Sequence, residues 1–441
     1  MDVLDLLSTL VSFKTVNDPG KGELPSSECP EFIQSTLSSW GIESKVIDHN
    51  GAYAVTGELG SGKPKVMVMA HFDVVPVSTD EWHYEPFKLT VEGDKAYGRG
   101  SVDDKGNVAA LMFALKELKE KPLGGKVLFA FTGDEETGGL TALHIAQQLH
   151  DAEKLPSFLI NADGTGMIPI VRRRKGFSVT VSLPSRKKMV KGNVWEQTFD
   201  IRTPVVETRH AAYFLPGVDT HPLIAASQFL RESDCEAVSL SGAFLKSNVV
   251  PGKVTLTYVK HDNDAQSEVE VDESLTQLLK AVVPLVRAPI KAEKYSDFGV
   301  SITPNLYSFD GFKHSLSLDI RAMSYDNKDI EQTIKEVLSY NLPEADVSFG
   351  NKDKAGFLFT DPNEPFVQTV LEVLKEHGEP AKAVEGAGAA DSRYFTPLGV
   401  KAIDFGPKGG NVHGPNEYVE VPSLKKLPNI YVQIIAKLMT L

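Results

Sequence analysis

Residues 126–139 read KVLFAFTGDEETGG, an apolar run that ends on three consecutive carboxylates, Asp134, Glu135 and Glu136. The run has the length and β-rich character of a buried strand. Like charges crowded together repel and raise one another's pKa, by amounts that grow as water is withdrawn. Either something positive offsets them or they form a solvated face, so the rest of the chain has to decide.

On either side, apolar runs of the same kind alternate with helical patterns: KVMVMA (65–70), KGNVAALMFALKELKE (105–120), the run at 126–132, TALHIAQQLH (141–150) and SFLINA (157–162). Alternation of this kind predicts an α/β domain with a mixed, mostly parallel sheet flanked by helices. The pattern returns near the end, with a helix around 365–378, the strand-like VKAIDFG (400–406) and a closing helix from about Pro422. Between about Lys175 and Asn351 the runs FSVTVSL, KVTLTYVK and HSLSLDIRA read as half-exposed antiparallel strands, and HPLIAASQFLRE and DIEQTIKEVLSY as helices packed on one face. The expected organisation is a first domain in two parts, 1–174 and 352–441, with an α+β domain inserted at 175–351. The acidic stretch HDNDAQSEVEVDES (261–274) reads as a solvated connection.

The chain has 441 residues, room for two or three domains, and its net charge of -13 argues against a nucleic-acid binder, which needs a basic surface. The basic runs at 172–175 and 186–188 are too short to change that. Two cysteines, Cys29 and Cys235, stand far apart, which disfavours a disulfide framework or a thiolate metal site and suits a reducing cytoplasm. The first residues, MDVLDLLSTLVSFKTV, carry Asp2 and Asp5 among apolar residues at helical spacing and resemble neither a signal peptide nor a membrane span.

Chemistry-bearing residues follow the apolar runs. His71 and Asp73 come after the first, Glu135 and Glu136 after the second, Asp163 after the third and His413 after the last, while Asp103 lies just ahead of the helix beginning near Lys105. Ligand sites in open α/β sheets lie beyond the carboxyl ends of the strands, so these segments are expected to converge. Two imidazoles and four or more carboxylates in one place are costly unless cations occupy it. Nitrogen and oxygen donors without thiolate suit zinc, with manganese or cobalt as substitutes, and the set is large enough for two ions sharing a carboxylate. Asp73, two positions beyond His71, is placed to orient that imidazole through its second nitrogen. Taken one at a time, each of these residues has an ordinary explanation as a helix cap, a solvated loop or a core histidine. Together they predict a two-metal hydrolytic site.

The segments AHFDVVP, YGRGSVDDKG, FTGDEETGG, INADG, RHAAYFLPGVDTHP, SNVVP and NVHGPNEYV, in this order, resemble a family of metal-dependent peptidases and deacylases. It includes carboxypeptidase G, acetylornithine deacetylase, succinyl-diaminopimelate desuccinylase, aminoacylase and the carnosinase-like and bacterial dipeptidases. The resemblance implies a zinc-exopeptidase-like catalytic domain with an inserted lid. It assigns His71 and Asp163 to one metal, Glu136 and His413 to the other, Asp103 to both, Asp73 to the support of His71 and Glu135 to general-base catalysis. It implies that His210 in the lid stabilises the oxyanion, with His221 as a nearby competitor, and that Arg321 and Arg393 clamp a substrate carboxylate. Asp104 departs from the pattern, standing where a methionine is usual; it either alters metal preference or points outward.

The lid segment is longer than the compact lid of the dimeric deacylases, which resembles the bacterial dipeptidase branch and implies a dipeptidase or related exopeptidase. An N-acyl amino acid deacylase shares every proposed ligand and is the alternative. A binding module without activity is disfavoured by the presence of Glu135 and all five ligands, and a phosphodiesterase-like enzyme by the acidic balance. The partner is then a small peptide or acylated amino acid, with no nucleic acid or membrane, and the protein is a monomer or homodimer in which His210 acts within one chain or across the interface.

Overall fold

The computed structural model describes residues 1–202, 211–350 and 355–441. The chain divides into two compact units, Met1–Arg173 with Ala355–Leu441, and Arg174–Lys354 inserted between those two segments.

Among the described residues, nine strands of the first unit form one mixed sheet. Its centre is four parallel strands in the order Lys126–Thr132, Pro64–His71, Phe158–Asn161 and Lys401–Asp404. Antiparallel strands Ala52–Gly60 and Ser44–His49 extend one side, and Ile170–Arg173 and Leu358–Phe359 the other. The unbroken apolar run 127–131 follows from burial on both faces. Val127, Phe129 and Phe131 pack into one core with the helices Val3–Ser12, Lys105–Lys119, Pro365–Glu376 and Val421–Leu438, whereas Leu128 and Ala130 pack into a second core with the helix Leu140–Asp151. The first helix begins with a capping box: Asp2 accepts the amides of Leu4 and Asp5, and Asp5 accepts that of Asp2. Among the described residues, no helix is long and apolar enough to cross a membrane.

The second unit is α+β. One antiparallel sheet runs Cys235–Gly242, Lys253–His261, Lys187–Asp200, Glu268–Asp272; the other runs Ser301–Phe309, Lys313–Ala322, Lys175–Pro184, Asp346–Phe349. Helices Pro222–Glu232, Glu273–Val286 and Asn327–Asn341 supply the other half of its core. The acidic stretch at 261–274 is not simply a solvated connection. Its second half, Glu268–Asp272, pairs with Lys187–Lys191, where Lys187 meets Glu270 at 2.8 Å, and the buried Asp272 caps the next helix by accepting the Leu275 amide at 2.9 Å. Alternation in EVEVD buries Val271 while the glutamates face a basic strand, so the charge density concealed a period of two.

Candidate active site

The four central parallel strands end on the same edge of the sheet, at His71, Thr132, Asn161 and Asp404, and the loops beyond them carry the candidate residues. Asp103 sits between two imidazoles. Its Oδ1 lies 3.0 Å from His71 Nε2 and its Oδ2 lies 3.0 Å from His413 Nε2. His413 Nε2 is also 3.1 Å from Glu136 Oε2. Ligand atoms of His71, Asp103 and Glu136 form one group of mutually close donors, and those of His71, Glu135 and Asp163 form another. His413 reaches in from a loop residue with φ 60°, a left-handed conformation that side chains rarely adopt and that costs ~1–3 kcal/mol unless the surroundings impose it.

The acidic triplet 134–136 divides between two roles. Asp134 is buried and caps the helix Leu140–Asp151, its Oδ2 accepting the Thr141 amide at 3.0 Å, with Thr141 Oγ1 also bonded to the carboxylate. Glu135 and Glu136 turn toward the histidines on the short 3-10 segment Glu135–Thr137. Gly138 and Gly139, at φ 129° and 66°, then turn the chain into the helix; a Cβ on Gly139 would collide with the carboxylate of Asp391.

Asp73, with no exposure, holds this arrangement together. Its Oδ1 lies 3.3 Å from His71 Nδ1 and accepts the Glu135 amide at 3.2 Å, while Oδ2 accepts the Glu136 amide at 3.1 Å. One carboxylate thus fixes a ring and the backbone of both glutamates. Asp104 neither points outward nor joins a metal-ligand group. It is buried, its Oδ2 accepting the backbone amide of His71 at 3.0 Å and its Oδ1 the side-chain amide of Asn107 at 2.7 Å.

Electrostatics show what charge the cluster favours. Burial pushes the Glu136 carboxyl up to about 7, and the Asp103 charge adds to it; burial, then the charge of Glu135, holds Asp163 well above the carboxylate range. Burial opposes a charged His71, yet hydrogen bonds to Asp103 and Asp73 prevail and hold its pKa well above the usual value. His413 follows the same balance, the Glu136 charge and the bond to Asp103 carrying it to about 11. The protein on its own recruits protons to a place that calls for positive charge. Donors on one tetrahedral zinc stand about 3.3 Å apart, close to the spacings here, so the residues fit divalent ions in both spacing and charge.

Of the other expected residues, Arg393 lies beside Glu135, Nη1 to Oε1 3.9 Å, and donates Nη2 to the Gly138 carbonyl at 2.9 Å. Arg321, in the second unit, forms a two-point pair with Asp319 two positions away, at 2.7 and 2.8 Å. His210 lies outside the described residues. His221 is buried with both ring nitrogens used: Nδ1 accepts the Leu223 amide at 3.2 Å as a helix cap and Nε2 donates to Asn305 Oδ1 at 3.0 Å.

Sequence reasoning missed two supports. Asn17, in a stretch without periodicity, donates to Asp73 Oδ2 at 3.0 Å and Thr137 Oγ1 at 2.9 Å. Arg173 pairs with the buried Asp404 and donates Nη2 to the Asp163 carbonyl at 2.7 Å, fixing that loop. Asp404 ends a parallel strand, a position that was itself a signal.

Residues 67–437 match the description of Peptidase family M20/M25/M40. The chain belongs to that family. It is 24% identical to a succinyl-diaminopimelate desuccinylase of Sulfurovum sp. over 99% of this chain and 98% of the relative. Its fold is similar to that of an aminoacylhistidine dipeptidase from Vibrio alginolyticus, with a TM-score of 0.70 at 13% identity over 98% of this chain and 96% of the other. It is also similar to a Bacillus subtilis protein described as a dinuclear metal binding peptidase from the M20 family, with a TM-score of 0.53 at 12% identity over 99% and 98%. This M20 protein is a metallohydrolase acting on amide bonds, and its mixed α/β fold is the one read from the strand pattern.

Proposed function

We propose that this M20 protein is a dipeptidase or related exopeptidase that uses two divalent ions, zinc first, with manganese or cobalt as substitutes. The observation that carries the hydrolytic reading is Asp103, whose two oxygens each face a different imidazole at 3.0 Å. His71 and Asp163 would hold one ion, His413 and Glu136 the other, and Asp103 both. When bound, such ions polarise a carbonyl and lower the pKa of water toward neutrality.

The chain's own residues do the rest. Asp73 holds the His71 ring through Nδ1, leaving Nε2 to face the centre. Glu135 accepts a proton from the attacking water on its carboxylate and delivers it to the departing amine nitrogen, and the charge of neighbouring Arg393, 3.9 Å away, favours the ionised carboxylate. His210 would stabilise the oxyanion, since His221 has spent both nitrogens on its own helix cap and Asn305. The inserted α+β unit, 175–351 by the sequence reading, would be the lid, and its two four-stranded sheets support the long-lid dipeptidase reading. Unpaired, buried Cys29 and Cys235 suit a reducing cytoplasm.

An N-acyl amino acid deacylase is the second reading, favoured by the name of the Sulfurovum relative, which matches nearly end to end. Metal-stripped protein reloaded separately with zinc, manganese and cobalt, then offered dipeptides and N-acyl amino acids, tests both. Cleavage of dipeptides with free amino termini is the expected result; turnover of acylated amino acids alone makes it a deacylase, and no turnover of either class rejects the proposal.

A further inference from the structure

The loop that carries Asp103 and the loop that carries His413 meet on one buried carboxylate. Glu417 has no solvent exposure. Its Oε1 accepts the backbone amides of Val102 and Asp103, each at 3.0 Å, and its Oε2 accepts the amide of Gly100 at 3.0 Å and Arg99 Nη1 at 2.6 Å. Arg99, itself buried and stacked over the Trp82 ring at 5.2 Å, donates Nη2 to the carbonyl of His413 at 3.3 Å.

A buried carboxylate is tolerated when both oxygens are satisfied, and here three amides and a guanidinium do so. The location of this network sets it apart from an ordinary buried ion pair. The amides belong to the turn between the strand Lys95–Tyr97 and the helix Lys105–Lys119, the turn that carries Asp103; the guanidinium ends on the residue that presents the second imidazole. Asp103 and Glu417 are 314 positions apart, so no local preference can set the distance between the two loops. His413 also needs its left-handed backbone imposed from outside.

We propose that Glu417 and Arg99 are positioning residues forming a clamp that sets the Asp103 to His413 separation before any metal arrives. Neither touches substrate; both act through the two proposed metal ligands. The inference rests on the two-metal reading above and extends it to residues outside the ligand set.

The test is a cobalt(II) titration of the full-length, metal-stripped protein, followed by visible absorption, whose band positions and intensities report coordination geometry. Wild type is expected to take up two equivalents. Glu417→Gln, which keeps the size but turns one acceptor into a donor, is expected to bind cobalt about 10- to 100-fold more weakly, with altered bands and an unchanged circular dichroism spectrum. Arg99→Lys keeps the charge but loses the fork that spans Glu417 and His413, so it is expected to shift affinity and bands in the same direction. The double variant is expected to be no worse than Glu417→Gln alone, because the two residues act as one device. Folded Glu417→Gln or Arg99→Lys protein with wild-type affinity and bands overturns the clamp. Should Glu417→Gln fail to fold, Arg99→Lys decides alone. Wild-type protein that takes up fewer than two equivalents overturns the two-metal reading itself, a result distinct from any seen in the variants.

Discussion

Arg393 Nη1 stands 3.9 Å from Glu135 Oε1, and both side chains are largely buried. Burial raises the Glu135 pKa, while the charges of His71 and Arg393 work against that rise. Removing the arginine therefore lets the carboxylate take up its proton at higher pH. Arg393→Ala is expected to move the acidic limb of the kcat/KM profile to higher pH, and Arg393→Lys to move it less. An unmoved limb in Arg393→Ala, with only KM raised, would return Arg393 to the substrate-clamping role expected from sequence.

Glu135→Gln removes the proposed base and keeps the side-chain volume. Turnover is expected to fall by about 10²- to 10⁴-fold, the usual contribution of general acid–base catalysis. Bound metal is expected to stay at two equivalents, measured by elemental analysis after dialysis. Loss of an ion together with activity would make Glu135 a ligand, as its closeness to His71 and Asp163 permits.

Asp73→Asn should act at a distance from the substrate. The new amide would face the Glu135 or Glu136 backbone amide, or the His71 ring, with a donor where an acceptor is needed. Metal affinity is expected to drop by about 10- to 100-fold, as for other partners of ligating histidines, and a competition assay with a chromophoric chelator measures it. Affinity equal to wild type would reduce Asp73 to a structural role.

His221 makes stability in the second unit depend on acid. Burial lowers its pKa to about 4, against an ordinary value of 6.5, so the folded ring stays neutral while the unfolded ring takes up a proton. Its contribution is complete above about pH 6.5 and is lost as pH falls toward 4, to a total on the order of 3 kcal/mol. Urea midpoints at pH 7 and pH 5 should therefore differ less for His221→Asn, which retains a capping oxygen, than for wild type. An equal difference in both proteins would rule out His221 as the source.

Periodicity alone was enough to read the α/β class and the strand ends that carry His71, Glu135, Glu136 and Asp163, because burial on both faces of a parallel sheet leaves a continuous apolar run in one stretch of chain. Those four candidates were legible for the same reason: each sits at or just beyond the end of a parallel strand, whereas Asp103 precedes a helix and His413 lies in a loop. The division of labour within the acidic triplet was not. Asp134 became a helix cap, and Asp104 took the His71 amide, because hydrogen-bond geometry at a turn depends on which amides lie within reach.

What the sequence by itself determined is therefore which residues arrive at the carboxyl edge of the sheet. The tertiary structure alone decided how they are held there: Asn17 and Asp73 around His71, Arg173 on the Asp163 loop, and Glu417 with Arg99 between Asp103 and His413. These partners lie up to 318 positions apart, and a buried polar group takes whichever donor or acceptor the packed chain brings near it. Local composition carries no record of that choice.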